Sequence, residues 1–315
     1  YVTIASTGNS VDFGDIYGTV DYLGACQSST RGIFAGGQTP TKLNTIGFVT
    51  ISTTGNTQDF GDLTQKRRFL QGVSNSTRGI FGSGATPTAT TVLDYITIAS
   101  TGNATDFGNL TQSRSQDGNN GGNNATRGLF AAGTTPSLVN TIDYVTIAQT
   151  GNAVDFGDMA QTDNAAFPVA SPTRVVYGGG APAINVIQFV TTATLGNTQD
   201  FGSLTQAKDW VSGASNSTRG VWYGGATPTV LTETETIMMA TLGNASSFGD
   251  LSTATKEGSA FSSPLRSVYG GGSNPSKTAD IFYASLITAG SSVDFGDLQA
   301  AGSQLGALSN AHGGL

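Results

Sequence analysis

An arginine recurs in six near-copies of one nine-residue stretch, which first reads STRGIFAGG and begins at Ser29. A guanidinium donates five N–H bonds in a fixed fork, a geometry that suits carboxylates and phosphates. Six such side chains at equivalent turns could form an anion-binding ring. They could instead be structural, with each one donating to a nearby aspartate or turn carbonyl. The six are Arg31, Arg78, Arg127, Arg174, Arg219 and Arg266.

Aspartates recur in a second motif, DFGD, as pairs such as Asp12 with Asp15. Paired carboxylates could bind Ca²⁺, but calcium takes six to eight oxygen ligands and a pair supplies only a few of them. Asn109, Ser203 and Ser247 replace an aspartate in three repeats, so the motif does not depend on the charge. We therefore expect no metal site. Composition alone does not exclude hydrolysis by a carboxylate pair.

Histidine and cysteine each occur once, as His312 and Cys26. One histidine excludes a multi-histidine metal centre and argues against a Ser-His-Asp triad. No Walker loop and no GxGxxG between a strand and a helix is found. We therefore expect no enzymatic activity and no cofactor. A lone cysteine cannot form an internal disulfide, and we expect Cys26 to be a small buried core residue.

The charge balance bears on partners. The net charge is −7, the isoelectric point is near 4.5 and only 11% of residues are charged. Nucleic acids and anionic membranes require clustered Lys and Arg, so this balance disfavours both. No run of 18 apolar residues is present, which predicts no membrane insertion.

A regular repeat must position these residues. The DFGD phenylalanines are spaced by 47, 47, 49, 45, 47 and 47 residues, and each unit reads as four short strands separated by Gly- and Asn-containing turns. A fixed period of this length indicates a propeller or another repeat array. We predict an all-β, seven-bladed propeller with four antiparallel strands per blade, as one domain over 1–315. The phenylalanines are Phe13, Phe60, Phe107, Phe156, Phe201, Phe248 and Phe295.

The two ends of the chain read as complementary half-blades. YVTIAS, from Tyr1, is a third strand, and QLGALSNAHGGL, from Gln304, is a first strand with the beginning of a second. We predict that both termini close one blade, which would remove an exposed sheet edge. The stretch SQDGNNGGNNAT, from Ser115, predicts a short or irregular first strand, since Gly and Asn weaken strands.

The pattern resembles kelch repeats, in which a strand ends in Gly-Gly, a later strand carries Tyr and the next carries a large aromatic residue. Gly36-Gly37 and Gly224-Gly225 match the first feature, Tyr95 and Tyr144 match the second, and the DFGD phenylalanines match the third. This resemblance implies the propeller architecture and no particular chemistry.

The amino-acid sequence of the repeats resembles that of kelch-like structural proteins of marine phages, especially phages of cyanobacteria. YITIASTGNATDFGNLTQSR (Tyr95 to Arg114) and NTIDYVTIAQTGNAVDFGDM (Asn140 to Met159) carry the likeness. The resemblance implies a non-enzymatic virion protein of the tail, fibre or head decoration, with other virion proteins as partners and with a host surface glycan or receptor as a further candidate. Two alternatives stay open: a secreted, lectin-like carbohydrate-binding propeller and a protein-interaction scaffold.

Partner binding is expected on the variable loops, because the STRG and TGN turns are nearly identical in every repeat. The links after DFGD differ and contain the one basic triplet of the chain and a charged pair beside a tryptophan. Arg and Trp are common interface anchors. The alternative is a solvated triplet and a core tryptophan. The predicted partner-binding residues are Lys66, Arg67, Arg68, Lys208 and Trp210.

Overall fold

The computed structural model describes residues 1–116, 121–164, 167–288 and 290–309. Every regular element in this part of the chain is a β-strand, and no helix in it is long and apolar enough to cross a membrane. The chain separates into two compact units, one made of 1–12, 166–191 and 199–315 and the other of 13–165 and 192–198. We call them the first-and-last unit and the middle unit.

The middle unit contains three four-stranded antiparallel sheets, and short strand pairs extend the loops that follow the second strand of each. Its strands are β1 (Gly24–Gln27), β2 (Arg31–Ala35), β3 (Gln38–Thr39), β4 (Thr41–Lys42), β5 (Thr45–Thr50), β6 (Gln58–Asp62), β7 (Gln71–Ser74), β8 (Arg78–Gly82), β9 (Ala85–Thr86), β10 (Thr88–Thr97), β11 (Thr105–Arg114), β12 (Gly122–Asn123), β13 (Arg127–Ala131), β14 (Thr134–Thr135), β15 (Ser137–Thr146) and β16 (Val154–Asp163).

The first-and-last unit contains three further four-stranded antiparallel sheets and one short strand pair. Its strands are β17 (Phe167–Ala170), β18 (Arg174–Gly178), β19 (Ile184–Thr191), β20 (Gln199–Lys208), β21 (Ser212–Ser215), β22 (Arg219–Tyr223), β23 (Ala226–Thr227), β24 (Thr229–Val230), β25 (Glu233–Met238), β26 (Ser246–Asp250), β27 (Ser259–Ser262), β28 (Arg266–Gly270), β29 (Asp280–Ser285) and β30 (Val293–Asp297).

Each four-stranded sheet is a propeller blade whose strands pair in chain order. Blade 1 is β1-β2-β5-β6, blade 2 is β7-β8-β10-β11 and blade 3 is β12-β13-β15-β16; blade 4 is β17 to β20, blade 5 is β21-β22-β25-β26 and blade 6 is β27 to β30. The all-β propeller class and the four antiparallel strands per blade are thereby confirmed.

The number of blades differs from the prediction, because the described residues form six blades and not seven. The sequence pattern of a third and fourth strand is present in residues 1–15, but no strand is formed there. A strand needs a neighbour to pair its backbone groups, and the described residues place no second strand beside Tyr1–Thr3. Closure of a blade by both termini is not shown, and the predicted second-strand residues 310–315, with His312, lie outside the described part.

Both chain ends nevertheless lie against blade 6 within the first-and-last unit. The amides of Gly8 and Ser10 donate to the carbonyls of Phe295 and Asp297 at 2.6 and 2.7 Å. From the other end, Ser309 Oγ donates to the Ser262 carbonyl at 2.7 Å. Both sets of bonds repeat interactions that full blades make elsewhere in the chain.

The TGN turn of one repeat forms a joint with the DFG segment of the preceding repeat. In the middle unit the amides of Gly102 and Ala104 donate to the carbonyls of Phe60 and Asp62 at 2.7 and 2.8 Å, and Asn103 Oδ1 accepts from the Asp62 amide at 3.0 Å. We call this set of three bonds the Asn-Gly joint. The same set recurs at 13–15 with 55–57, 107–109 with 151–153, 156–158 with 196–198, 201–203 with 243–245, and 295–297 with 8–10.

The joint explains the glycine of DFGD. Gly61 has φ +142°, and a Cβ there would lie 2.5 Å from the carbonyl carbon of Gly102. Only glycine combines this backbone conformation with so close an approach of the next repeat. The Asn and Gly of TGN and the Gly of DFG are therefore repeated because they connect neighbouring repeats.

The first strands have their own connection through serine hydroxyls. Ser74 Oγ donates to the Gln27 carbonyl at 2.9 Å, and Ser262 Oγ donates to the Ser215 carbonyl at 2.6 Å. The prediction of a short first strand in the third unit is confirmed in the described part, since β12 has two residues. The remainder of that stretch, 117–120, lies outside the described residues.

Candidate functional site

The five predicted partner-binding residues all lie in the link that follows a DFG segment, six to nine residues after its phenylalanine. Lys66 is exposed, Arg68 and Trp210 are half-buried, and Arg67 and Lys208 are buried with side-chain exposures of 0% and 1%. The link therefore presents some of the five to solvent and directs the others into the blades. Their role in partner binding stays a prediction.

Arg67 forms a buried ion pair. Its Nη2 lies 2.8 Å from Asp94 Oδ2 on the third strand of blade 2, and neither side chain is exposed. The guanidinium also donates to the backbone carbonyls of Phe81, Ser83 and Val92 at 3.1, 2.8 and 2.6 Å. A buried charge requires such partners. The pair thus ties the link from blade 1 to the second and third strands of blade 2.

Asp94 receives two further bonds from Thr64, which precedes Arg67 on the same link. Thr64 Oγ1 and its backbone amide donate to the carboxylate at 2.6 and 3.3 Å. Burial lowers the pKa of Arg67, and the neighbouring Asp94 charge opposes that shift. Arginine is not deprotonated in proteins, so the guanidinium pairs with Asp94 as a cation.

Equivalent pairs with different residues occupy the same place in other blades. Arg114 contacts Asp143 at 2.9 Å in blade 3, again with neither side chain exposed. Lys208 contacts Glu235 and lies 3.0 Å from Glu233 in blade 5. These buried charges are therefore a structural device of the repeat.

One group of side chains on the middle unit remains accessible, and we call it the Arg68 patch: Lys66, Arg68, Phe69 and Tyr22. The Arg68 guanidinium carbon lies 4.6 Å above the Phe69 ring and 5.7 Å from that of Tyr22. The two rings have centroids 4.4 Å apart. Tyr22 and Phe69 have φ +59° and +61°, which is unusual for non-glycine residues. The left-handed backbone directs both rings to one place.

The second group, on the first-and-last unit, is the Trp210 patch: Asp209, Trp210, Lys256 and Glu257. Trp210 has φ +52°, and its carbonyl accepts from the Glu257 amide at 3.2 Å. Lys256 Nζ lies 3.8 Å from Glu257 Oε1. Burial raises the pKa of Asp209, and the charge of Lys256 opposes this shift. An indole beside charges of both signs provides apolar area and hydrogen-bond capacity together.

The repeated arginines are structural, with carbonyls and not aspartates as acceptors. In blade 2, Arg78 Nη1 donates to the Ile147 carbonyl at 3.0 Å, and its guanidinium lies 4.5 Å above the Tyr95 ring. Each acceptor lies one repeat further along the chain, except that of Arg266, which is Ile4 in the partial repeat at the start of the chain. The same donation joins Arg31 to Ile98, Arg127 to Thr192, Arg174 to Met239 and Arg266 to Ile4. Arg219 has no such bond.

The DFGD aspartates serve the backbone. Asp106 Oδ1 accepts from the amide of Gly108, two residues later, at 3.1 Å, and Asp294 does the same for Gly296. Within the described ranges, His, Cys, Asp and Glu side chains nowhere gather in threes as a metal site would need. Cys26 is buried, and burial raises the pKa of its thiol, as expected for a packed core residue.

The predictions from the sequence did not include Asp94, Asp143 and Glu235, the acidic partners of the buried cations. A signal was present: Thr and Arg recur three residues apart after two DFG motifs, as Thr64 with Arg67 and Thr111 with Arg114. In each case the third strand of the following blade carries Asp directly before Tyr, as Asp94-Tyr95 and Asp143-Tyr144.

The fold and the joints define a β-propeller of short, nearly equivalent blades. No protein-family model and no curated protein matches this chain. The propeller class is therefore assigned from the architecture alone, and function rests on the site.

Proposed function

We propose that the chain is a non-enzymatic structural and adhesion component of a phage virion, in a tail, a fibre or a head decoration. One observation carries the proposal: residues common to the repeats are used in joints between repeats, while the variable links expose basic and aromatic groups. The Asn-Gly joint uses TGN and DFG, and five of the six STRG arginines donate to a carbonyl of another repeat. A fold whose repeats are joined in this way suits a stable structural protein that presents a binding surface.

The Arg68 and Trp210 patches are the surfaces we assign to partners. Aromatic and arginine side chains dominate interface energies, and tryptophan also stacks on sugar rings. Lys66 and Arg68 supply positive charge on a chain with net charge −7, so an anionic partner surface is favoured there.

A steric block tests this assignment. Lys66→Cys and, as a matched control, Ser76→Cys each place one exposed thiol on the middle unit, because Cys26 is buried. After biotinylation, streptavidin bound at position 66 should reduce attachment of the particles to host cells at least about tenfold. Streptavidin at position 76, in the repeated STRG turn, should have little effect. Equal attachment of both labelled particles would contradict the face assignment, and absence of the chain from purified particles would contradict the virion role.

The secreted lectin is the rival, favoured by the half-buried Trp210 at the surface. It predicts that the isolated chain binds neutral glycans on an array and that Trp210→Ala removes this binding. Binding of a glycan by a chain that is absent from particles would favour the lectin over the virion protein.

We further propose that residues 1–12 and 302–309 stabilise blade 6 by packing both chain ends against it. Support comes from their bonds to blade 6, which copy those of full blades. A chain ending at Leu298 should then melt at a lower temperature than the full chain. An unchanged melting temperature would contradict the proposal.

A further inference from the structure

Blade 5 differs from the other five at one position of its third strand. In the others, an aromatic ring stands between the STRG arginine and the DFG phenylalanine, with ring centroids 5.7 to 5.9 Å from that phenylalanine. The guanidinium carbon lies 4.5 to 4.7 Å above the same ring. Blade 5 has Thr236 at this position, so the ring is missing from the stack.

Arg219 changes its contacts as a result. Its guanidinium carbon lies 5.0 Å above Phe248, the DFG phenylalanine itself. Its buried Nε and Nη1 have no hydrogen-bond acceptor, whereas the five equivalent arginines donate Nη1 to a carbonyl of another repeat. Buried N–H groups without an acceptor are costly, and they are satisfied when an acceptor is bound.

A cavity of about 240 Å³ lies beside these groups, open to solvent and contained within the first-and-last unit. Phe201, Met238 and Leu242 give it apolar walls, and Arg219, Ser246 and Ser247 give it polar ones. Thr236 also lines the cavity, and its hydroxyl donates to the Gly220 carbonyl at 2.9 Å. Its volume is sufficient for one six-membered ring with a substituent, as in small-molecule sites with apolar walls and a few oriented polar groups.

A second replacement in the same repeat favours an anion. Six of the seven DFGD-type motifs begin with Asp, and the one in blade 5 begins with Ser247, which lines the cavity. The two changes together remove a ring that would contact Arg219 and a carboxylate from the wall of the cavity. A bound molecule that carries a ring and a carboxylate would restore both.

We propose that this cavity binds a six-membered ring that carries a carboxylate, with the carboxylate on Arg219 and the ring against Thr236 and Met238. An aromatic acid and a uronic acid share this chemistry. The proposal does not depend on the virion role, since the cavity uses none of the residues of the Arg68 and Trp210 patches.

The experiment measures binding of 4-fluorobenzoate by fluorine NMR and of glucuronate by competition with it. A ligand of this size should bind with a Kd on the order of 1 mM. The neutral analogues benzyl alcohol and glucose should bind at least about tenfold more weakly. Displacement by glucuronate at lower concentration than by benzoate would assign the sugar acid, and the reverse would assign the aromatic acid. No saturable binding, or equal binding of the neutral analogues, would overturn the proposal.

Three variants test the geometry. Thr236→Tyr rebuilds the missing ring, Arg219→Gln removes the cation, and each should weaken binding at least about tenfold while circular dichroism confirms folding. Tyr95→Thr with Asp106→Ser makes the same two changes beside Arg78 in blade 2 and should raise the stoichiometry from one to two. Unchanged affinity in both blade 5 variants, or a folded blade 2 variant without a second site, would overturn the assignment.

Discussion

The ion pair between Arg67 and Asp94 is expected to be a main support of blade 2. Arg67→Met leaves the Asp94 carboxylate buried with its two Thr64 bonds but without a counter-charge, and three backbone carbonyls lose a donor. Removing one partner of a buried pair costs about 3–5 kcal/mol of unfolding free energy. We expect a loss in this range, with Asp94→Asn costing about 3 kcal/mol.

The double variant distinguishes charge pairing from simple loss of packing. Arg67→Met with Asp94→Asn leaves no unpaired charge at the buried site. The double variant should therefore be about 2–3 kcal/mol more stable than the sum of the two single losses implies. Lys66→Met is the matched control, because its side chain is exposed on the same link, and it should alter stability by less than about 0.5 kcal/mol.

Hydrogen exchange is the appropriate assay. Both tryptophans, Trp210 and Trp222, lie in the first-and-last unit, so tryptophan fluorescence would not report on blade 2. Opening free energies from peptides that cover 78–97 report on the second and third strands of blade 2. The loss should persist in 0.5 M NaCl because a buried pair is weakly screened. A cost below about 1 kcal/mol for Arg67→Met, or strict additivity in the double variant, would refute the reasoning.

Three other outcomes follow from the structure. Gly61→Ala should lower the unfolding free energy by about 1–3 kcal/mol more than Gly102→Ala, measured by urea denaturation, because the two have similar positive φ but only a Cβ at 61 meets backbone; equal losses would show that the close approach is relieved without cost. Cys26 should react with N-ethylmaleimide only after unfolding, because the thiol is buried and burial raises its pKa; fast labelling of the native chain, followed by mass, would contradict its packing. Burial acts to raise the pKa of Glu233, but bonds from Thr205, Gln206 and Lys208 hold that pKa below its ordinary value. Its stabilisation is therefore present above the unfolded pKa of about 4.3 and is lost as the pH falls through the folded value. Glu233→Gln should make the melting temperature less sensitive to pH between about 3 and 5, and an identical pH profile would count against this.

The sequence predicted the fold class because period and alternation are local properties. The spacing of the DFG phenylalanines and the four short runs per unit determine the blades directly. The number of blades was wrong because residues 1–15 carry the pattern of two strands without a described second strand to pair with. A sequence pattern shows only that a segment favours the extended conformation. A strand forms only where a neighbouring strand pairs its backbone groups.

The burial of Arg67 could not be predicted from its surroundings in the chain. Three consecutive basic residues indicate a solvated surface, and the partner Asp94 lies 27 residues away. The cavity in blade 5 was equally hidden. Thr236 and Ser247 are not unusual residues by themselves. They stand out as replacements of an aromatic residue and an aspartate only when the repeats are aligned in the register of the structure.

The two kinds of contact between repeats have different consequences for how such a chain can change. Every Asn-Gly joint uses the same groups, so a repeat gained or lost by recombination would find matching edges on both sides. The buried pairs are individual, since Arg67 requires an acid such as Asp94, and Lys208 is placed for Glu235. A repeat inserted elsewhere would form its Asn-Gly joints. Its buried acid would lack a counter-charge, however, unless the link before it was inserted as well. The heritable module therefore runs from one link to the next, and not from the first to the last strand of a blade.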